Sequence, residues 1–205
     1  MQTFAIVPAA GRSRRMGQPK LLLPWGSSTV IEHVLAAWRA SRVDHLIVVV
    51  DPSDRRLAEL CKARGAQVVV PAEPPGEMKD SVRLGLEGAE SHRPQSDDAW
   101  LVAPADMPGL NAQIIDRLIG AHAASLGPGE GGPCIRAPRH GTKRGHPVLF
   151  PWPLAAEVAH LGADEGLNAL VARHDAQWLE TAADASSEDF DTPEDYDRLR
   201  ARFGK

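Results

Sequence analysis

The chain has 205 residues, with 23 Lys and Arg against 27 Asp and Glu, for a net charge of −4. That length suits one large domain with a full core of its own, and 43% hydrophobic with 24% charged residues is the composition of a soluble globular protein, which excludes disorder over most of the chain. The weakly acidic balance argues against a general nucleic-acid binder, and the longest aliphatic run, Leu46 to Val50, is far short of the about 20 residues that span a bilayer.

Thr3 to Pro8 is an apolar run ending in small residues and reads as a buried strand. Ala9 to Ser28 follows as a long loop punctuated by Gly11, Gly17, Pro19, Pro24 and Gly26. Thr29 with Glu32 three residues later predicts a capping box, and Ile31, Val34, Leu35 and Trp38 continue at helical spacing. His45 to Val50 is a second buried strand. Ser53 to Arg64 predicts a helix closed by Gly65, and Ala66 to Val70 a third strand. Lys79 to Glu90 predicts a helix, Ala99 to Ala103 a fourth strand, and Gln113 to Ala124 another amphipathic helix. Gly127 to Pro133 reads as a flexible connection. Beyond it, Pro147 to Phe150 suggests a strand, Asp164 to Arg173 a helix and Ala176 to Glu180 an edge strand. Thr192 and Pro193 supply the cap and first position of a last helix.

Strands alternating with helices at this pitch predict an α/β fold with a mostly parallel sheet, right-handed crossovers and helices on both faces. A single domain over 1–205 is the simplest account. Ligands of such sheets sit outside the carboxyl ends of the strands, which points to the loops after Pro8, Val70 and Ala103. Phe4 to Val7 is too short for a signal-peptide core, and its positive charges follow it. Cys61 and Cys134 have neither metal nor disulfide spacing. Both observations suit a cytoplasmic protein with no membrane partner.

Charge is segregated along the chain. No acid occurs from Met1 to Ile31, where Arg12, Arg14, Arg15 and Lys20 lie, nor from Gly131 to Ala156, where Arg136, Arg139, Lys143 and Arg144 lie. From Glu180 to Asp197 there are eight acids and no Lys or Arg. Anionic ligands plus a cation would explain this, as would solvated surfaces. The first loop has neither the Walker A nor the dinucleotide spacing. Its small residues directly after a strand still allow close backbone approach to a phosphate. A basic surface loop is the plainer alternative.

The string Ala9-Ala10-Gly11-Arg12-Ser13-Arg14-Arg15-Met16-Gly17, continuing through Pro19-Lys20 to Leu23-Pro24-Trp25, closely resembles the signature of the molybdenum cofactor nucleotidyltransferases, in particular their cytidylyltransferase branch. The resemblance implies a Rossmann-like nucleotidyltransferase fold, with a nucleotide-binding half over 1–125 and an acceptor half over 126–205. It implies that Ala9, Ala10, Gly11 and Ser13 lie under the nucleotide, that Arg15 and Lys20 contact its phosphates, and that Gly76 and Ser81 face the base and ribose. Ala10 before Gly11 favours CTP over GTP. Glu77, Lys79 and Asp80 are bulkier than the family's pattern.

Pro104-Ala105-Asp106-Met107-Pro108 matches the family's metal-binding aspartate, so Asp106 is expected to hold Mg²⁺, with Mn²⁺ as the alternative ion. The string from Asp189 to Tyr196 matches the family's C-terminal motif. Either Asp189 or Asp191 supplies the second carboxylate, and the two share a side if the chain is extended. Gly145-His146-Pro147 also matches, which implies acceptor contacts by Lys143, Arg144 and His146; His146 reads equally as a structural histidine. Asp164 lies where the family has a Gly-Asp turn, as an acceptor residue or a helix cap. The implied catalytic set is Arg15, Lys20 and Asp106. The implied reaction moves CMP from CTP to molybdopterin, with a molybdenum hydroxylase or dehydrogenase as client. The alternatives are a GTP-dependent or sugar- or alditol-phosphate nucleotidyltransferase, and a carrier of the cofactor without turnover.

Overall fold

The alternation of Thr3–Ala9 decides the architecture. Ala5, Val7 and Ala9 enter one hydrophobic cluster while Phe4 and Ile6 enter another, and all are buried. A strand buried on both sides needs a helical layer on each. In the computed structural model, which describes residues 1–11, 16–127, 132–181 and 188–204, this strand is β1 at the centre of an eight-stranded sheet.

The other strands are β2 (Pro24–Trp25) and β3 (Ser28–Thr29), paired as a separate hairpin, then β4 (His45–Val50), β5 (Gln67–Val69), β6 (Ala99–Val102), β7 (Ile135–His140), β8 (Lys143–Arg144), β9 (Val148–Pro151) and β10 (Ala176–Glu180). The sheet order is β10-β7-β9-β6-β1-β4-β5, with β8 on β7. β1 pairs in parallel with β4 and β6, β4 with β5, and β7 with β10, whereas β9 is antiparallel to β6 and β7. The helices are α1 (Val30–Arg39), α2 (Arg55–Ala63), α3 (Met78–Ala89), α4 (Ala112–Ser125), α5 (Ala155–Val158), α6 (Asn168–Arg173) and α7 (Pro193–Phe203). α1, α2, α4 and α7 cover the Val7 face, and α3, α5 and α6 cover the Ile6 face. Among the described residues no helix is long and apolar enough to cross a membrane.

Two regions differ from the sequence expectation. β7 and β8 had no strand signal, because Pro138 interrupts β7 and Arg136 breaks its apolar alternation while being only 1% exposed. The helix expected from Asp164 starts instead at Asn168. The Glu165 side chain takes the Gly162 N–H at 2.8 Å and holds a turn there, so Asp164 is exposed in that turn and caps no helix.

α3 lies close on the sheet through Gly85. A Cβ there would lie 2.6 Å from Ile6 Cγ2 and 3.3 Å from Val49 Cγ2. Alanine at position 85 would gain about 1 kcal/mol of helix propensity but overpack the interface by about 1–3 kcal/mol. Gly85→Ala is therefore expected to lower the urea midpoint. Gly120, inside α4, has nothing within 4 Å of its Cβ position, so Gly120→Ala is expected to raise stability by about 0.5–1 kcal/mol. A stabilised Gly85→Ala would contradict the close approach of α3.

Burial lowers the pKa of His45, His122 and His146. His45 also stacks on Phe4 at 4.9 Å and faces the His92 ring at 3.9 Å. His122 is fully buried, with Nδ1 3.4 Å from the Arg136 guanidinium, a neighbour that further disfavours protonation. A histidine with a depressed folded pKa binds more protons when unfolded. Its stabilisation is present above about pH 6.5 and is lost as pH falls through the folded value. Stability measured by urea unfolding is expected to fall between pH 7.5 and 5.5, and His122→Gln to shrink that fall.

Candidate active site

β1 ends in Pro8-Ala9, followed by Ala10 and Gly11, and their small size leaves the carboxyl edge of the strand open. The described chain resumes at the buried Met16, and Gly17 takes the left-handed φ of +64° that a side chain would resist. A 3-10 turn over Lys20–Leu22 then forms, with the Leu22 N–H donating to the Pro19 carbonyl at 3.1 Å and Leu21 buried beneath. This turn fixes the Lys20 stem.

The Lys20 ammonium joins three segments. Nζ donates to Asp106 Oδ2, to Asp191 Oδ1 at 3.1 Å and to the Phe190 carbonyl at 3.1 Å. Asp106 is held by its flanks, since Ala103, Ala105, Met107 and Leu110 are all buried. Its carboxylate therefore projects from the end of β6 into the cleft, with its side chain 11% exposed. In the tail, the fully buried Phe190 packs on Tyr196 at 5.5 Å. Tyr196 Oη donates to the Pro24 carbonyl and the ring meets Trp25 at 6.0 Å. This docks the tail on the first loop. Thr192 Oγ1 accepts the Asp195 N–H at 3.2 Å and starts α7 immediately after.

Electrostatics follow from this packing. Burial pushes the Asp106 carboxyl above the ordinary aspartate range, with Lys20 pulling it down and Asp189 adding to the rise. Burial disfavours the Lys20 ammonium, but Asp106 and Asp191 outweigh it and hold its pKa above the usual lysine value. One firmly charged cation thus faces carboxylates from mid-chain and tail.

These groups form one end of a cleft of about 840 Å³, a size suited to a small ligand. Ala9, Ala10, Gly11, Lys20, Gly76, Ser81, Asp106 and Asp191 all line it. The largely exposed segment 73–78, leading into α3, forms a lip of it. Asp189 is exposed and does not line the cleft, yet its charge reaches Asp106 and His146. The His146 ring lies 3.4 Å from the Val102 carbonyl at the end of β6, and its lowered pKa keeps it neutral at pH 7.

None of the expected acceptor residues Lys143, Arg144, His146 and Asp164 is among the residues lining this cleft. Lys143 and Arg144 are exposed on β8, where the Arg144 guanidinium lies 4.7 Å from the Trp178 ring. Asp164 sits in the 162–165 turn, which Lys79 ties to α3 through the Gly162 and Ala163 carbonyls at 2.5 and 2.7 Å. Ser13 and Arg15 lie outside the described residues. The sequence reading missed Glu73, Pro74, Pro75 and Met78 as cleft-lining residues, and Phe190 as a partner of Lys20. The signal for the first group was a charged residue beside prolines directly after a strand's carboxyl end.

Over 119 residues the chain is 37% identical to 2-C-methyl-D-erythritol 4-phosphate cytidylyltransferase of Klebsiella pneumoniae, covering 56% of this chain and 48% of that protein. The chain spans about half the length of the curated relatives it first matches. The crystal structure of Rv0371c from Mycobacterium tuberculosis superposes with a TM-score of 0.81 at 29% identity, covering 98% of this chain and 99% of that one. A manganese complex of that same protein superposes with a TM-score of 0.75 at 27% identity, covering 98% of each chain. The fold is the Rossmann-like α/β fold of nucleotidyltransferases. Residues 5–178 match the family described as the MobA-like NTP transferase domain, and the chain belongs to that nucleotidyltransferase family.

Proposed function

We propose that the protein is a divalent-metal-dependent cytidylyltransferase that moves CMP from CTP onto the phosphate of molybdopterin and releases pyrophosphate. The observation that carries this reading is the set of three hydrogen bonds that the Lys20 ammonium donates to Asp106, Asp191 and the Phe190 carbonyl beside the cleft. A phosphate oxygen of the acceptor attacks the α-phosphorus, and the bond to the β-phosphate breaks. Such chemistry relies on alignment and charge neutralisation more than on a covalent nucleophile.

Ala9, Ala10 and Gly11 admit the triphosphate to the backbone, and Lys20 neutralises charge at the reacting phosphorus. By the signature they share with the molybdenum cofactor enzymes, Arg15 of the same loop is assigned to the phosphates and Ser13 to the nucleotide. Gly76 and Ser81 face the base and ribose. The groups around Lys20 are all oxygens, two carboxylates and one backbone carbonyl, which fits Mg²⁺ or Mn²⁺. Among the described residues no group of three or more His, Cys, Asp or Glu is poised for a metal, so Asp106 with Asp191 or Asp189 would hold the ion together with phosphate oxygens and water. When bound, it supplies positive charge across the triphosphate and the attacking phosphate. A phosphate monoester has its second pKa near about 6, so no strong base is needed, and a neutral His146 is consistent with a positioning role. Lys143, Arg144 and His146, in a stretch without acids, suit an anionic acceptor; Asp164 lies in the turn that Lys79 ties to α3.

A second reading, with an alditol phosphate as acceptor, is favoured by the curated relatives' names. Pyrophosphate release with CTP or GTP, each with molybdopterin or 2-C-methyl-D-erythritol 4-phosphate, separates the two. Turnover with CTP and molybdopterin is expected. Turnover only with the alditol phosphate would establish the second reading. Cofactor binding without pyrophosphate release would point to a carrier that delivers it to a molybdenum hydroxylase.

A further inference from the structure

Four carboxylates line the cleft, and three have cationic partners. Asp106 and Asp191 bind Lys20, and Glu77 pairs with Lys79 at 3.2 Å. Glu73, at the lip, pairs with no cation among the described residues. The lip that carries it is held from several sides. Pro71, Pro74 and Pro75 restrict its backbone. Asp80 Oδ2 accepts the Glu77 N–H at 2.9 Å, and Lys79 clamps the Gly162 and Ala163 carbonyls. Met78 adds an apolar surface beside it, 46% exposed and lining the same cleft.

The cleft is thus polar in two unlike ways. Its cationic end, with Lys20, suits a triphosphate. Its lip offers apolar prolines and a methionine against which a flat ring can lie, with a carboxylate at the edge. A carboxylate is an acceptor only. Cytosine presents an exocyclic amine at position 4, whereas uracil presents a carbonyl oxygen there, and its one ring N–H lies between two carbonyls. Facing Glu73, the amine forms a charge-assisted hydrogen bond; the carbonyl meets a second lone-pair-bearing group at the cost of solvation.

We propose that Glu73 is the base-selecting residue of this cleft, accepting a hydrogen bond from the exocyclic amine and so favouring CTP over UTP. The inference rests on the nucleotide reading of the cleft given above. It accounts for a charged lip where the family's pattern is smaller: Glu77, Lys79 and Asp80 lock the lip, and Glu73 reads the base.

Titration calorimetry of the full chain with CTP and UTP, each with Mg²⁺, tests it. The wild type is expected to bind CTP at least tenfold tighter than UTP. In Glu73→Gln the amide can donate to the uracil oxygen, so UTP affinity is expected to rise and the preference to fall by about tenfold. Glu73→Ala is expected to lose the preference through weaker CTP binding. Glu73 is exposed, and unchanged circular dichroism confirms that either variant folds. A wild-type preference that survives in both variants would overturn the role of Glu73 and leave the cytidylyltransferase reading standing. Equal binding of CTP and UTP by the wild type would also overturn it. Binding of neither nucleotide would overturn the reading of the cleft, and Glu73's role with it.

Discussion

Replacing Lys20 with alanine is expected to lower kcat/KM for pyrophosphate release by about 10²–10³-fold, the range found when one preorganised donor is removed from a developing charge. The variant is expected to remain folded. Lys20 holds Asp106 and Asp191 together, and without it the carboxylates are left facing one another. Burial already pushes the Asp106 carboxyl upward, so it can take up a proton instead of unfolding the chain. Lys20→Arg is expected to lose most of the activity as well. The ammonium sits among three acceptors from two segments, and a planar guanidinium fork does not reproduce that point-like geometry. A Lys20→Ala variant with wild-type turnover would remove Lys20 from the chemistry.

Trp100→Ala is expected to produce the largest loss of stability, about 3–5 kcal/mol. Trp100 is fully buried in β6 and stacks on Phe150 of β9 with centroids 4.2 Å apart. Truncation would open a cavity at the junction where the sheet changes from parallel to antiparallel pairing. β6 also carries the chain to Asp106, so the damage would reach the site. Among the described residues the indole Nε1 has no hydrogen-bond partner, which makes Trp100→Phe the informative control. Phenylalanine keeps a ring against Phe150 and removes a buried orphan donor, so its cost is expected to stay below about 1.5 kcal/mol. Urea unfolding of the two variants measures the difference. Similar losses in both would mean that the indole's second ring, and not the stack, carries the packing.

Much of the amino-terminal half was legible from residue pattern. β1, β4 and β6 are short, continuous apolar runs, the mark of strands buried on both faces, and the helices between them fix their role. Thr29 with Glu32, Gly65, and Thr192 with Pro193 marked helix ends through local chemistry, and these caps form. The carboxyl-terminal half was less legible because its strands break the rules: β7 buries an arginine and contains a proline. The 162–166 turn is set by the Glu165 carboxylate and by Lys79, which reaches it from 83 residues earlier in the chain, a long-range tie that no local pattern carries. In the site, the shared crevice of Asp106 and the first loop followed from strand ends converging there, whereas the direct contact of Asp106 with Lys20 was not expected. The tail's approach depended on Phe190 and Tyr196 packing under the first loop. Spacing alone placed Asp189 and Asp191 on one side, and it is Asp191 that reaches Lys20.

The most direct test of the account is a crystal structure of the protein with CTP and Mn²⁺, with the metal located by its anomalous signal. The account predicts a metal peak within about 2.5 Å of the Asp106 carboxylate and of Asp191 or Asp189, with the triphosphate against Lys20 and the base toward the 73–78 lip. A nucleotide seated elsewhere, or a metal peak away from Asp106, would contradict it.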